Sequence, residues 1–145
     1  MGVDGGPSTG AALLVIEPDG TRKWMVFQCD GNSAFWLIQD LYSQFCPRVV
    51  GIEAFVESNK RNSAEDAELT RKITEHAYML VAGIKRRPVA VPRKRRAADV
   101  KPWATDKRLE KAGFPLGRKF LDARDAGRHA LYAAVYDGKE RDPLA

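Results

Sequence analysis

The run VVGIEAFV at residues 49–56 constrains the fold more than any other stretch of this chain. It is too short for an ordinary helix and rich in β-branched residues, so it reads as a buried strand. Helical patterns lie on both sides of it. Upstream, across residues 33–45, Phe35, Leu37, Ile38, Leu41, Tyr42 and Phe45 recur at helical spacing until Pro47 ends the pattern. Downstream, across residues 63–81, Leu69, Ile73, Ala77 and Leu80 make one face. Ser63 followed by Asp66 is close to a capping box there, and Gly83 is a plausible stop.

The first thirty residues read as sheet. Residues 11–16 and 23–29 are apolar-rich runs joined by a turn at Pro18–Asp19–Gly20, which predicts a hairpin. Residues 1–4 are expected to belong to the same first strand, with GGPSTG at 5–10 as an irregular interruption. After the second helix, residues 89–91 predict a short strand squeezed between basic residues. Residues 97–119 are polar, with a short helix expected at 105–111, and a last helix begins near Asp122. A hairpin-rich start followed by strand–helix alternation predicts an α/β domain with a mixed sheet. At 145 residues, one domain over residues 1–138 and a frayed tail at 139–145 is the expected organisation.

Composition excludes several classes. With 44% hydrophobic and 30% charged residues the chain is neither disordered nor fibrous. No apolar run reaches the roughly 18 residues of a membrane span. The start MGVDGGPS lacks a signal-peptide pattern, and Cys29 and Cys46 cannot form a disulfide framework. A cytoplasmic location, in a bacterial cell or a virus-infected host cell, is expected, with no membrane partner.

The net charge of +5 hides an asymmetry. Residues 84–119 hold 13 basic and 3 acidic residues, a local net of +10, which leaves −5 on the rest. A basic third on an acidic body suggests a polyanion, because Lys and Arg clusters bind phosphates by releasing counterions. A solvated loop explains the same run without a ligand.

Four acidic residues stand in unusual places. Asp4 interrupts an apolar start, and Glu53 lies inside VVGIEAFV, where burial disfavours a carboxylate unless something pairs with it. Asp122 and Asp125 lie three apart at the start of the last helix, so they share a face. If the strands bearing Asp4 and Glu53 are neighbours, four carboxylates converge, and only cations make such a cluster stable. Oxygen-only ligands point to Mg2+ or Mn2+, and two such ions can activate water against a phosphodiester. Taken singly, Asp4 also suits a turn before Gly5, and Asp122 suits a helix cap.

GVDGGPSTGAALL at the start, GIEAFV around Glu53 and DARDAGRHALYAA from Asp122 resemble, in order, the three acidic motifs of RuvC-type Holliday junction resolvases. VKPWATDKR at residues 100–108 also looks like the segment preceding the last motif there. The resemblance spans residues 2–136. It implies an RNase H-like fold with a five-stranded mixed sheet flanked by helices, a homodimer, two Mg2+ or Mn2+ ions per site, and paired nicks in a four-way DNA junction. Asp4, Glu53, Asp122 and Asp125 would be the metal ligands, with Asp4 bridging both ions. His129, four residues after Asp125, would stand behind the ligands or position a phosphate. Lys101 and Lys107 fall where the family carries basic residues near the scissile phosphate, Lys107 being the better placed. Arg93, Lys94, Arg95 and Arg96 would track the DNA arms.

Two departures from the family concern aromatic and proline placement. Phe55, on the same side of the strand as Glu53, is one position off the junction wedge, so it either stacks on a base or packs in the core. Trp103 is the other stacking candidate. The proline after the first motif is displaced to Pro7. The function expected is a metal-dependent endonuclease for four-way and other branched DNA, acting by in-line attack of water. Alternatives are a same-fold nuclease for flap or fork DNA or RNA, and a non-catalytic DNA-binding module. GVDGGPSTG also resembles the phosphate hairpin of actin-like ATPases, but those need a second domain. The helix at 63–81, with Tyr78 and Met79 on a second face, is the expected dimer interface.

Overall fold

Alternation along three strands sorts the small residues from the large ones, and that sorting organises the molecule. The computed structural model describes residues 1–56, 63–83, 90–117 and 119–145. Its strands are β1 (Gly2–Asp4), β2 (Ser8–Ile16), β3 (Arg22–Asp30), β4 (Val49–Glu53) and β5 (Val91–Arg95). Its helices are α1 (Ala34–Phe45), α2 (Ala64–Gly83), α3 (Ala97–Val100), α4 (Asp106–Lys111) and α5 (Leu121–Tyr136). The sheet order is β3-β2-β1-β4-β5, with antiparallel pairing from β3 to β1 and parallel pairing from β1 to β5. This is a mixed five-stranded sheet flanked by helices, an RNase H-like α/β fold. Among the described residues, no helix is long and apolar enough to cross a membrane.

One face of the sheet carries Val3, Ala11, Leu13, Val50 and Ile52, buried with Ile38, Leu41 and Tyr42 of α1 and Ile73, Ala77 and Val81 of α2. The opposite face carries Gly2, Gly10 and Gly51, and α5 lies against them. A Cβ on Gly2 would sit 1.9 Å from the Ala126 carbonyl oxygen. On Gly51 it would sit 2.3 Å from that of His129, and on Gly10 2.2 Å from the backbone of Asp122. No side chain fits between helix and sheet at these points. The helix answers with buried Ala123, Ala126, Ala130 and Ala133.

Local chemistry sets the element ends. At the β2–β3 turn Gly20 adopts φ +86°, and Gly20 N–H donates to the Glu17 carbonyl at 2.8 Å. Asp30 accepts from the backbone N–H of Asn32 and Ser33, starting α1. The left-handed residue Cys46, φ 44°, closes α1 before Pro47. Ser63 Oγ accepts from Asp66 N–H at 3.1 Å, the cap foreseen from sequence.

Several boundaries differ from the sequence expectation. Residues 1–4 do not continue the next strand: β1 runs antiparallel to β2, with Asp4 opposite Gly10, because the chain reverses between them. The hydroxyl of Thr9 secures that reversal by donating to the Gly6 carbonyl and accepting from its N–H. β4 ends at Glu53 rather than Val56. The strand expected at 89–91 is displaced to Val91–Arg95, with residue 89 outside the described residues, so the basic run is itself a strand pairing with β4. The short helix expected at 105–111 is α4, whereas α3 carries no apolar period that sequence could reveal. The tail at 139–145, expected to fray, is held by ion pairs Arg48–Glu140 and Arg108–Asp142 and by Arg22 donating to the Arg141 carbonyl.

Candidate active site

Asp4 and Glu53 lie two residues beyond Gly2 and Gly51, which are paired across β1 and β4. Alternation therefore sets both carboxylates on the α5 face, side by side at the C-terminal ends of neighbouring parallel strands. The glycines let α5 approach closely enough for its first turns to reach them. Carboxylate oxygens of Asp4, Glu53 and Asp125 can all lie within 4.8 Å of one another, and each residue is half-buried. Asp122 lines the same cleft and its charge acts on Asp4, but it stands outside this closest group. The cleft has a volume of about 570 Å3 and is also bordered by Gly5, Phe55, Thr70 and Arg96.

Burial, and then the charges of Glu53, Asp125 and Asp122, push the Asp4 carboxyl up to about 8, against a smaller pull from Lys101. Adjacent carboxylates in a half-buried site disfavour full ionisation unless a cation joins them. Oxygen-only donors of this spacing suit a hard divalent cation.

Basic residues reach the cluster from its periphery. Lys101 Nζ donates to Asp125 Oδ2 at 2.7 Å. Burial works against the Lys101 charge, but Asp125 and the other carboxylates hold its pKa above the ordinary value. Lys107 is exposed on α4, and no carboxylate among the described residues pairs with it. The structure thus brings Lys101, rather than Lys107, into the site. His129, buried on α5, donates from Nε2 to Glu53 Oε2 at 3.2 Å, so it stands behind the cluster and orients one member.

Sequence reasoning missed Arg128. Its guanidinium bridges Asp125 and Asp106, and its Nε donates to the Ala104 carbonyl at 3.1 Å. That network ties α5 to the segment carrying α3 and α4. The available signal was spacing, because Arg128 follows Asp125 by one helical turn. The glycine two places before each strand acid, in GVD and GIE, was a second unread signal.

The remaining candidates are placed as follows. Phe55 is half-buried just past the end of β4 and lines the cleft. Trp103 packs edge-on against Tyr132 and Tyr136, with the Arg108 guanidinium 4.6 Å from its ring centroid, so it belongs to a packed aromatic cluster. The basic run is largely self-compensated. Arg93 and Arg95 pair with Asp137, Lys94 with Glu75 and Arg96 with Asp99. On α2, Met79 is exposed while Lys94 sits 4.7 Å from the Tyr78 ring centroid.

No protein-family model and no curated protein matches the chain. Solved structures do. RuvC from Thermus thermophilus aligns over 95% of this chain and 94% of its own at 16% identity, TM-score 0.66. The same bacterium's RuvC in complex with a Holliday junction substrate aligns over 95% and 93% at 13% identity, TM-score 0.68. The chain has the RuvC fold. The yeast mitochondrial Holliday junction resolvase aligns over 89% of this chain and 74% of its own at 15% identity, TM-score 0.54.

Proposed function

We propose that this protein is a divalent-metal-dependent endonuclease that resolves four-way and other branched DNA by phosphodiester hydrolysis, acting as a homodimer. The observation that carries the reading is the convergence of Asp4, Glu53 and Asp125 at adjoining ends of β1, β4 and α5, in a fold shared with a RuvC solved on a Holliday junction substrate. A non-catalytic binding module would have no need for three carboxylates converging in one half-buried cleft.

Asp4, Glu53, Asp125 and Asp122 would hold two Mg2+ or Mn2+ ions, which when bound neutralise the phosphate and lower the pKa of water. The rest of the chemistry falls to the chain. Asp4, whose carboxyl feels the charges of Glu53, Asp125 and Asp122, would be shared among the ligands of both ions. His129 donates to Glu53 and fixes its orientation, as partners behind metal ligands do. Lys101, whose ammonium donates to Asp125, would be the basic group that meets a phosphate oxygen beside the cluster. Lys107 would supply positive potential along the approach, Arg93, Lys94, Arg95 and Arg96 would meet DNA phosphates by exchanging their present acidic partners, and Phe55 would supply an apolar wall. Exposed Met79 on α2 supports a dimer contact there.

The test assays four-way junction, flap, duplex and RNA substrates side by side with Mg2+, with Mn2+ and with chelator. Metal-dependent nicking with preference for the junction is expected. Cutting that survives chelation, or a preference for RNA, contradicts the reading.

A further inference from the structure

A second concavity is connected to the carboxylate cleft through the start of α5, where Phe120 lines the one and Asp122 the other. It has a volume of about 520 Å3 and is lined by Trp24 and Val26 of β3 and by Phe114, Pro115, Leu116 and Phe120. Its floor is rigid. Trp24 and Phe114 meet edge to face at 4.9 Å, Trp24 Nε1 donates to the Ala112 carbonyl at 2.8 Å, and Phe114 sits where a Cβ on Gly127 would be. Its rim is open. Phe120 is 54% and Leu121 59% exposed, immediately before Asp122.

The two concavities are joined by the fold. Trp24, Val26 and Gln28 share one face of β3, and Gln28 Oε1 accepts from Ala123 N–H beside Asp122. The aromatic groove therefore runs along the edge strand toward the acids. Lys111, which ends α4 next to Ala112, and Lys119, which precedes Phe120 in the chain, are exposed, and neither is paired with a carboxylate among the described residues. Exposed aromatic surface between an acidic, metal-suited cleft and unpaired lysines suits a nucleotide: base on the ring, phosphate at the cleft.

We propose that this groove binds an unstacked nucleobase next to the scissile phosphate, with Phe120 as the stacking residue. The inference rests on the nuclease reading above and adds a specificity-determining residue to it. Stacking on one aromatic side chain of this kind changes binding by about ten- to a hundredfold. The bound base would hold the backbone at the carboxylates.

The experiment combines protein and substrate changes in single-turnover cleavage of a four-way junction with Mn2+. Phe120→Ala and Phe120→Tyr are each compared with wild type on intact junctions and on junctions abasic at successive positions around the mapped cut. Thermal melting and Mn2+ titration confirm that fold and metal site are retained. Phe120→Ala is expected to slow cleavage about tenfold or more, and Phe120→Tyr to restore it. One abasic position should slow wild type similarly, with no further loss when combined with Phe120→Ala. Unchanged cleavage by Phe120→Ala, or losses that multiply, overturns the inference while leaving the nuclease reading intact, as would a groove occupied by a protein. Absence of cutting by wild type overturns both.

Discussion

The two faces of the sheet are built for different ends. The face under α1 and α2 is filled by Ile38, Leu41, Tyr42, Ile52 and Ile73, large side chains whose burial stabilises the fold. The face under α5 is almost without side chains at its centre, where Gly2, Gly10 and Gly51 meet the helix backbone. Close approach there gives up apolar area and brings acids from three elements together. The difference separates a region that holds the fold from one that positions charge.

Neighbouring residues of β4 test that separation. Gly51→Ala adds one methyl on the α5 side, into space filled by the His129 carbonyl. It should destabilise by about 3 kcal/mol, displace α5, and abolish metal-dependent nicking. Denaturant unfolding and the junction assay read both effects, and a folded, fully active variant would break the comparison.

Asp4 gives the next largest effect. Its carboxyl is raised from the ordinary range to about 8 in the metal-free fold. The unfolded chain releases this proton near pH 4 and the folded chain near pH 8, so metal-free stability falls as pH rises through that window. The loss is of order 1 kcal/mol per pH unit. Asp4→Asn should flatten this dependence, raise the metal-free melting temperature at pH 8 and eliminate cutting. A wild type whose metal-free stability does not fall between pH 5 and pH 8 would refute the charge crowding.

Ile52→Val, on the other face of the same strand, should cost about 1 kcal/mol and leave Mn2+ binding and cleavage per folded molecule unchanged. The smallest contrast separates two lysines. Lys101→Ala should slow nicking several-fold at moderate salt, whereas Lys107→Ala should stay within about twofold, as for one exposed phosphate contact. Equal effects would contradict the assignment of Lys101, which contacts Asp125, as the lysine nearer the chemistry.

Much of this was legible in the residues. VVGIEAFV announced a buried strand with one carboxylate, and the periodicities around it located α1, α2 and α5 to within a residue or two. The acids were found because a charge in an apolar strand is energetically conspicuous. Other features were not legible because they depend on partners distant in sequence. Residues 1–4 become a separate strand only through the reversal held by Thr9. The basic run becomes strand β5 because β4 offers an edge and Asp137, Glu75 and Asp99 offset its charges. Trp103 is packed because Tyr132 and Tyr136, a helical turn apart on α5, form its bed. Arg128 and Lys101 reach Asp125 through tertiary placement that no local period encodes.

The most direct measurement is nicking of a four-way junction by wild type and Asp125→Asn in Mg2+ or Mn2+, with junction binding measured in parallel. Wild type should nick only with metal, and Asp125→Asn should bind the junction with similar affinity and leave it uncut. Full activity in Asp125→Asn, or in wild type with EDTA, would contradict the assignment of the carboxylate cluster as the active site.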